Sequence, residues 1–272
     1  MLRWFKSPAT DTQVTHGQRI WLYVLATITM ILLVAPTLIV IPMSFSDSQY
    51  LEFPPENWSM RWYRNYFQSS EWMLATRTSF KAAFLTMLVA TPIGVLAAYG
   101  LHASRVPFVR VAFVLLITPM MVPVVLIAIG AFYAYVKLQI LYTITGLVLA
   151  HTVLALPLVM IVTGSALKGY DMSQEQAARS LGAPRWKAFL TVTLPQIKFA
   201  VVTSALLSFL TSFDEVIVAM FVSGGDNPTL TRSMFNALRD QIDPTIASIS
   251  TIMVLVTTVM MVLAQIFGQP RK

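Results

Sequence analysis

Asp214 and Glu215 stand side by side in an otherwise apolar run from Phe199 to Val222. An ionised acid at the centre of a membrane helix costs about 2.5–3.5 kcal/mol on insertion scales, so two in a row should face protein or water rather than lipid. Lys198 marks one edge of the run, and Asp214 lies sixteen residues on. At about 1.5 Å per residue that is roughly 24 Å of helix, which puts the acids toward the far side of a bilayer. Two roles are open to them. With Phe213 they can line a cation's path or gate, or they can cap a broken helix or pair with Arg232 or Arg239.

Other chemistry is sparse. There is no cysteine, which excludes a disulfide scaffold, a thiol nucleophile and thiolate metal sites. His16, His102 and His151 are too far apart in sequence to suggest a metal cluster, and His151 is expected to be a hydrogen-bonded packing residue. Gly164 and Gly169 have the glycine spacing of a phosphate loop, but Tyr170 and Asp171 follow where Lys and Ser or Thr are required. No Gly-x-Ser-x-Gly elbow occurs. The reading is therefore no catalytic residues and no metal ligands.

The segment from Tyr170 to Pro195 carries the densest local grammar. Ser173 and Gln176 have the spacing of a capping box, with Glu175 in the first turn, where negative charge suits the helix dipole. Ala177 and Ala178 are small helix formers. Gly182 suits a left-handed stop, Pro184 the first turn of a second short helix, and Pro195 its end. A small-faced helix ended by a sharp glycine turn could form a rigid knob for a soluble partner, or an ordinary amphipathic connector.

The elements that must hold these residues are membrane helices. The chain is 56% hydrophobic and 11% charged, against about 25% charged in a soluble domain. Six stretches approach the roughly 20 residues needed to span a bilayer. They are Trp21–Ile41, Ala82–Leu101, Val111–Val136 (interrupted by Pro119 and Pro123), Ile144–Leu167 (with Pro157), Phe199–Val222 and Ile246–Phe267. The expected architecture is an all-α integral membrane protein with six transmembrane helices and both termini on one side. Its segments are a tail 1–19, a first span 20–42, a loop 43–75, a core 76–267 and a tail 268–272. Of the Lys and Arg residues, twelve fall on the side of the termini, among them Arg3, Lys6, Arg105, Arg110, Arg271 and Lys272, and seven on the other. By the positive-inside rule the termini face the cytoplasm. The net charge of +7 then reads as topology, with no nucleic-acid partner implied. The first span is expected to be a retained anchor rather than a cleaved leader. The aromatic-rich loop after it reads as an interfacial belt with a surface helix, which a docking surface can share.

The loop from Tyr170 resembles the signature segment of permease subunits of ATP-binding-cassette importers. That pattern is Glu-Ala-Ala, three residues, Gly, nine residues, Ile, one residue, Leu-Pro, and this chain keeps its spacing with Gln176, Ala177, Ala178, Gly182, Val192 and Leu194-Pro195. Gln replaces Glu and Val replaces Ile. The resemblance covers roughly Thr76 to Gln265. It implies a type I importer permease fold in the bacterial inner membrane, with a short cytoplasmic coupling helix. The residues it assigns to ATPase coupling are Glu175, Gln176, Ala177, Ala178, Gly182, Ala183 and Pro195. It also implies a second permease subunit, homologous or identical, a dimeric cytoplasmic ATPase carrying ATP and Mg, a periplasmic solute-binding protein, and membrane lipid around the pair. Ser212 through Asn227, Leu230 and Asp243-Pro244 resemble the spermidine/putrescine-type branch, which also includes carriers resembling those for opines, aminophosphonates and ferric ions. An autonomous ion-coupled carrier is the alternative, but the inverted repeats and further buried charges such a carrier usually has are not evident.

Overall fold

The computed structural model describes residues 15–104, 107–240 and 242–268, with backbone alone for 263–268. Arg3, Lys6, Arg105, Arg271 and Lys272, on which part of the charge argument rests, lie outside the described residues. The described chain is helical, with two isolated bridges, Ser46–Trp58 and Gly224–Asn227. The helices are α1 Ile20–Met43, α2 Arg61–Gln68, α3 Ser70–Ala103, α4 Val109–Ile117, α5 Val124–Leu138, α6 Ile144–Lys168 and α7 Ser173–Ser180. They continue with α8 Arg185–Ala188, α9 Leu194–Gln196, α10 Lys198–Phe213, α11 Ile217–Val222, α12 Leu230–Asp240 and α13 Thr245–Gly268.

Packing divides the chain into Met1–Asn65 with Asp243–Val254, and Tyr66–Ile242 with Leu255–Lys272. In the first unit, the loop after α1 is tied down locally. Ser44 Oγ donates to Ile41 O at 2.6 Å and lies 2.7 Å from Tyr63 Oη. Trp62 Nε1 donates to Ser48 O at 3.0 Å, and Asn65 Nδ2 donates to Thr245 Oγ1 at 2.8 Å. The expected surface helix in this region is α2. In this unit Tyr50, Phe53 and Trp58 are exposed and Trp62 is buried; of the aromatics that follow in the second unit, Phe67 is exposed and Tyr66 and Trp72 are buried.

The second unit is built on α3, α6 and α10. Lipid is as apolar as leucine, so helices in a membrane associate through close packing of small residues and polar contacts. The buried face of α3 has that character: Ala75, Ser79, Ala83, Thr86, Ala90, Gly94 and Ala98 recur every three to four positions. At Gly94 an added Cβ would lie 2.6 Å from Val159 Cγ1, so α3 and α6 meet almost backbone to side chain.

Among the described residues four helices are long and apolar enough to cross a membrane: Gly17–Met43, Ser70–Ala103, Ile144–Lys168 and Thr245–Val262. The count reaches six if each of two bent pairs is one span. Val109–Met120 and Val124–Leu138 meet at 92°. Their break falls at the prolines expected to interrupt the third span, since proline lacks an N–H and clashes with the preceding turn. Arg185–Gln196 and Lys198–Phe213 meet at 81°.

Two span boundaries differ from the sequence expectation. The helix of the second span, α3, begins at Ser70 behind the N-cap Ser69, whose side chain accepts from Trp72 N, and runs 34 residues. It therefore extends well before the apolar run, through Glu71, Arg77 and Lys81, and starts ahead of the boundary at 76. The fifth apolar run is not one helix. α10 ends at Phe213, the chain bends at Asp214–Val216, and α11 follows.

Candidate functional site

The loop after α6 folds as a helix, a glycine turn and a second helical stretch, with two local corrections. The capping box does not form. Met172, not Ser173, precedes the helix, and the Asp171 carboxylate takes Ser173 N at 2.9 Å and Ser173 Oγ at 2.6 Å. The Ser173 hydroxyl is spent as a donor to that carboxylate, a strong charge-assisted bond, and Gln176 N, which a capping box would direct to Ser173 Oγ, bonds the Met172 carbonyl at 3.1 Å instead. The two Ser173 bonds, the side-chain one foremost, hold the Asp171 carboxyl below its ordinary range. At the other end Gly182 adopts φ 95°. Gly182 N donates to Arg179 O at 3.0 Å and Ala183 N to Ala178 O at 3.2 Å. This pair of bonds is a Schellman stop, in which glycine takes the left-handed position without steric cost.

Pro184 precedes α8, and a π turn over Phe189–Thr193 separates α8 from α9. Pro195 was expected to end this stretch. It instead stands in the first turn of α9, and the bend falls two residues later at Ile197. A proline ring meets the carbonyl four residues back in a regular helix, and the wider π turn just before it relieves that clash.

The faces of α7 separate the residues that adjacency grouped together. Gln176 and Ala177 are exposed, as are Gly182 and Pro195, with Ala178 and Ala183 half-buried. Glu175 is 2% exposed and points inward, so it belongs to the loop's inner face rather than its outer surface. Tyr99 Oη, from α3, donates to Glu175 Oε1 at 2.6 Å, and Thr193 Oγ1 donates to Glu175 Oε2 at 2.5 Å. Arg185 Nε donates to Tyr99 Oη at 3.3 Å, with its guanidinium 5.5 Å from the ring centroid. Val95, Ala98, Val159, Leu167, Phe189 and Ile197 pack around this cluster. The outer surface adds two residues that sequence reasoning did not single out, Leu181 at 90% exposure and Trp186 at 67%. A leucine and a tryptophan among charges in a short connector were the available signal. Tyr99 and Thr193 offered none, because nothing local marks a partner 76 or 18 positions away.

At the acidic break the three singled-out residues part company. Phe213 is buried, with its ring 4.8 Å from Phe80 and 5.6 Å from Phe209. Glu215 Oε1 accepts from Val218 N at 2.8 Å, so from one position before the N-cap Val216 it caps a first-turn N–H of α11. Asp214 is exposed, and its carboxylate makes no hydrogen bond or ion pair with the described residues. The pairing option is not realised: Arg232 bonds the Ser223 carbonyl, and Arg239 pairs with Asp240 at 2.7 Å. Two residues before the break, Ser212 Oγ lies 2.7 Å from His151 Nδ1 and donates to Thr86 Oγ1 at 3.3 Å. His151 is therefore the hydrogen-bonded packing residue expected, joining α6, α10 and α3. Among the described residues no three His, Asp or Glu side chains come together as a metal site.

The chain is similar to several transport permeases. It is 30% identical over 232 residues to the spermidine/putrescine transport system permease protein PotC of Haemophilus influenzae, covering 85% of this chain and 90% of that one. It is 30% identical over 246 residues to the putrescine transport system permease protein PotI of Escherichia coli, covering 85% of each. The molybdenum transport system permease protein ModB of Escherichia coli is 30% identical over 185 residues, covering 62% of this chain and 80% of that one. In fold, the chain resembles a bacterial ABC transporter that imports the acidic polysaccharide alginate, with a TM-score of 0.68 at 16% identity over 95% of this chain and 98% of that one. A complex of the alginate transporter with its pentasaccharide-bound periplasmic protein gives a TM-score of 0.71 at 17% identity, over 91% and 93%. Residues 90–270 match the family described as the binding-protein-dependent transport system inner membrane component, and the chain belongs to that family.

Proposed function

We propose that this chain forms half of the translocation path of an ATP-driven importer for a polyamine or a similar small cationic solute. It pairs with a second permease subunit, homologous or identical. The energy comes from a dimeric cytoplasmic ATPase that carries ATP and Mg, and a periplasmic binding protein delivers the cargo. Both termini, with the loop 170–195, face the cytoplasm, and the break at Asp214–Val216 lies toward the periplasm.

The observation that carries this reading is the outward surface of the short helix α7. Gln176, Ala177, Ala178 and Gly182 form a low-profile face ended by a rigid turn, with Leu181 and Trp186 standing clear beside it. Small residues allow close approach by another body, and exposed large apolar side chains mark interaction sites. Closure of the ATPase dimer would move this knob and rock the permease pair about a site near the membrane midplane. The polyamine assignment is supported by the similarity to PotC and PotI and by the one exposed, unpaired acid of the break, Asp214.

The test is reconstitution in vesicles with the second permease, the ATPase and the binding protein, scoring uptake of labelled spermidine. Uptake should require ATP and the ATPase chain. Uptake by this chain alone without ATP would refute the reading and favour an autonomous carrier.

A further inference from the structure

We propose that Glu175 is a positioning residue that transmits movement of the cytoplasmic loop to α3 through Tyr99. The inference rests on the reading of the loop as the ATPase dock, and adds to it the route by which displacement of the dock reaches the membrane.

The geometry gives one carboxylate two jobs. Its Oε1 accepts from Tyr99 on α3 at 2.6 Å, and its Oε2 accepts from Thr193 in the π turn at 2.5 Å. Three separate pieces of chain, α7, the π turn and α3, therefore meet at a single buried side chain. Hydrogen bonds to an ionised acceptor are roughly twice as strong as neutral ones, and burial at 2% exposure keeps water from competing. Phe189 packs on the Tyr99 ring at 4.4 Å, and the Arg185 guanidinium lies 5.5 Å from it. The ring is thereby held from the loop side as well as from α3.

The rest of the loop is hinged. The Gly182 turn and the 81° bend at Ile197 separate α7 from α8–α9 and α9 from α10. A push on α7 is therefore passed on where α7 itself is fastened, and its polar contact with α3 is made by Glu175, beside the longer bond that Arg185 in α8 donates to the same Tyr99 hydroxyl. α3 is a single 34-residue helix. From Tyr99 it runs back to Thr86, which accepts from Ser212 Oγ, and Ser212 lies two positions before Asp214. Rigid elements joined by specific polar contacts can carry coupling between distant sites. Here the chain of contacts is loop, Glu175, Tyr99, α3, Thr86, Ser212 and the acidic break.

Glu175→Gln keeps the side chain's size and removes its charge, and Tyr99→Phe removes the hydroxyl that donates to Glu175 and accepts from Arg185 Nε. Each is tested in the full complex by three readouts: retention of the ATPase on purification, phosphate release and spermidine uptake. We expect both variants to retain the ATPase and to hydrolyse ATP within about twofold of the parent, while uptake falls about tenfold. The double variant should be no worse than the weaker single one, because both break the same link. Thr193→Val, which removes only the second hydroxyl, should give an intermediate loss and serves if Glu175→Gln folds poorly.

Parental uptake in both single variants overturns the proposal. So does loss of the ATPase together with uptake, which would make Glu175 merely a structural part of the dock. Ala178→Arg separates the two layers. If that variant keeps both the ATPase and uptake, the docking surface itself is misassigned, whatever Glu175 does.

Discussion

Tyr99 on α3 and Glu175 on the short helix α7, 76 positions apart in sequence, are joined by a 2.6 Å hydrogen bond. Glu175's neighbour Gln176 is exposed. The family signature has glutamate at the position of Gln176, and adjacent helical residues point about 100° apart. Glu175 therefore does not restore the missing outward charge. The outer face of the loop is uncharged at Gln176, and the carboxylate beside it faces inward.

The neutral outer face makes a prediction about size rather than charge. Ala178→Arg puts a long side chain where another body must approach closely, and should strip the ATPase from the purified complex and reduce uptake by about tenfold or more. Gln176→Glu, which restores the family charge without adding bulk, should leave both intact. Co-purification of the ATPase with each variant is the measurement.

At the acidic break, Asp214 and Glu215 should behave differently although they are adjacent. Asp214→Asn removes the exposed carboxylate and is expected to weaken spermidine uptake with no loss of thermal stability. Glu215→Ala removes the acceptor for Val218 N and should cost about 0.5–2 kcal/mol, the usual worth of a helix cap. Uptake kinetics and thermal unfolding in detergent, measured on both variants, separate the roles. Equal loss of stability in the two would assign Asp214 to the scaffold.

Close packing of α3 on α6 can be tested at Gly94. A methyl group there would sit 2.6 Å from Val159 Cγ1 and 2.7 Å from Val159 Cβ. Overpacking of this kind costs about 1–3 kcal/mol. Gly94→Ala should lower the unfolding temperature, and adding Val159→Ala should recover most of the loss. Failure of the second substitution to compensate would show that the cost at Gly94 lies elsewhere.

The buried triad of His151, Ser212 and Thr86 is expected to tolerate a polar swap better than an apolar one. Ser212→Thr keeps a hydroxyl near His151 Nδ1, whereas Ser212→Ala leaves that nitrogen without its 2.7 Å partner. A buried group left unsatisfied costs about 1–3 kcal/mol. Thermal unfolding of the two variants decides it.

Sequence alone revealed what depends on local pattern. Apolar runs of sufficient length marked the membrane helices, Pro119 and Pro123 marked the break between α4 and α5, and Gly182 marked the left-handed stop after α7. Side-chain contacts and helix irregularities that residue patterning does not rank explain the misses. Ser173 lost the cap because its hydroxyl donates to the Asp171 carboxylate and the helix starts one residue earlier, with Gln176 N bonded to Met172 O. Pro195 failed to end its helix because a π turn made room for it. The fifth run broke at Asp214 because Glu215 caps the helix that follows, a contact that residue counting along an ideal helix does not anticipate. Glu175 was grouped with its neighbours because its direction depends on a tyrosine in another helix.

The central claim, that this chain is a passive half-path driven by a separate ATPase, is tested most directly by uptake in vesicles. Spermidine accumulation should appear only when the second permease, the ATPase, the binding protein and ATP are all present, and should vanish when the ATPase is omitted. Accumulation by this chain alone, driven by an ion gradient without ATP, would contradict the account.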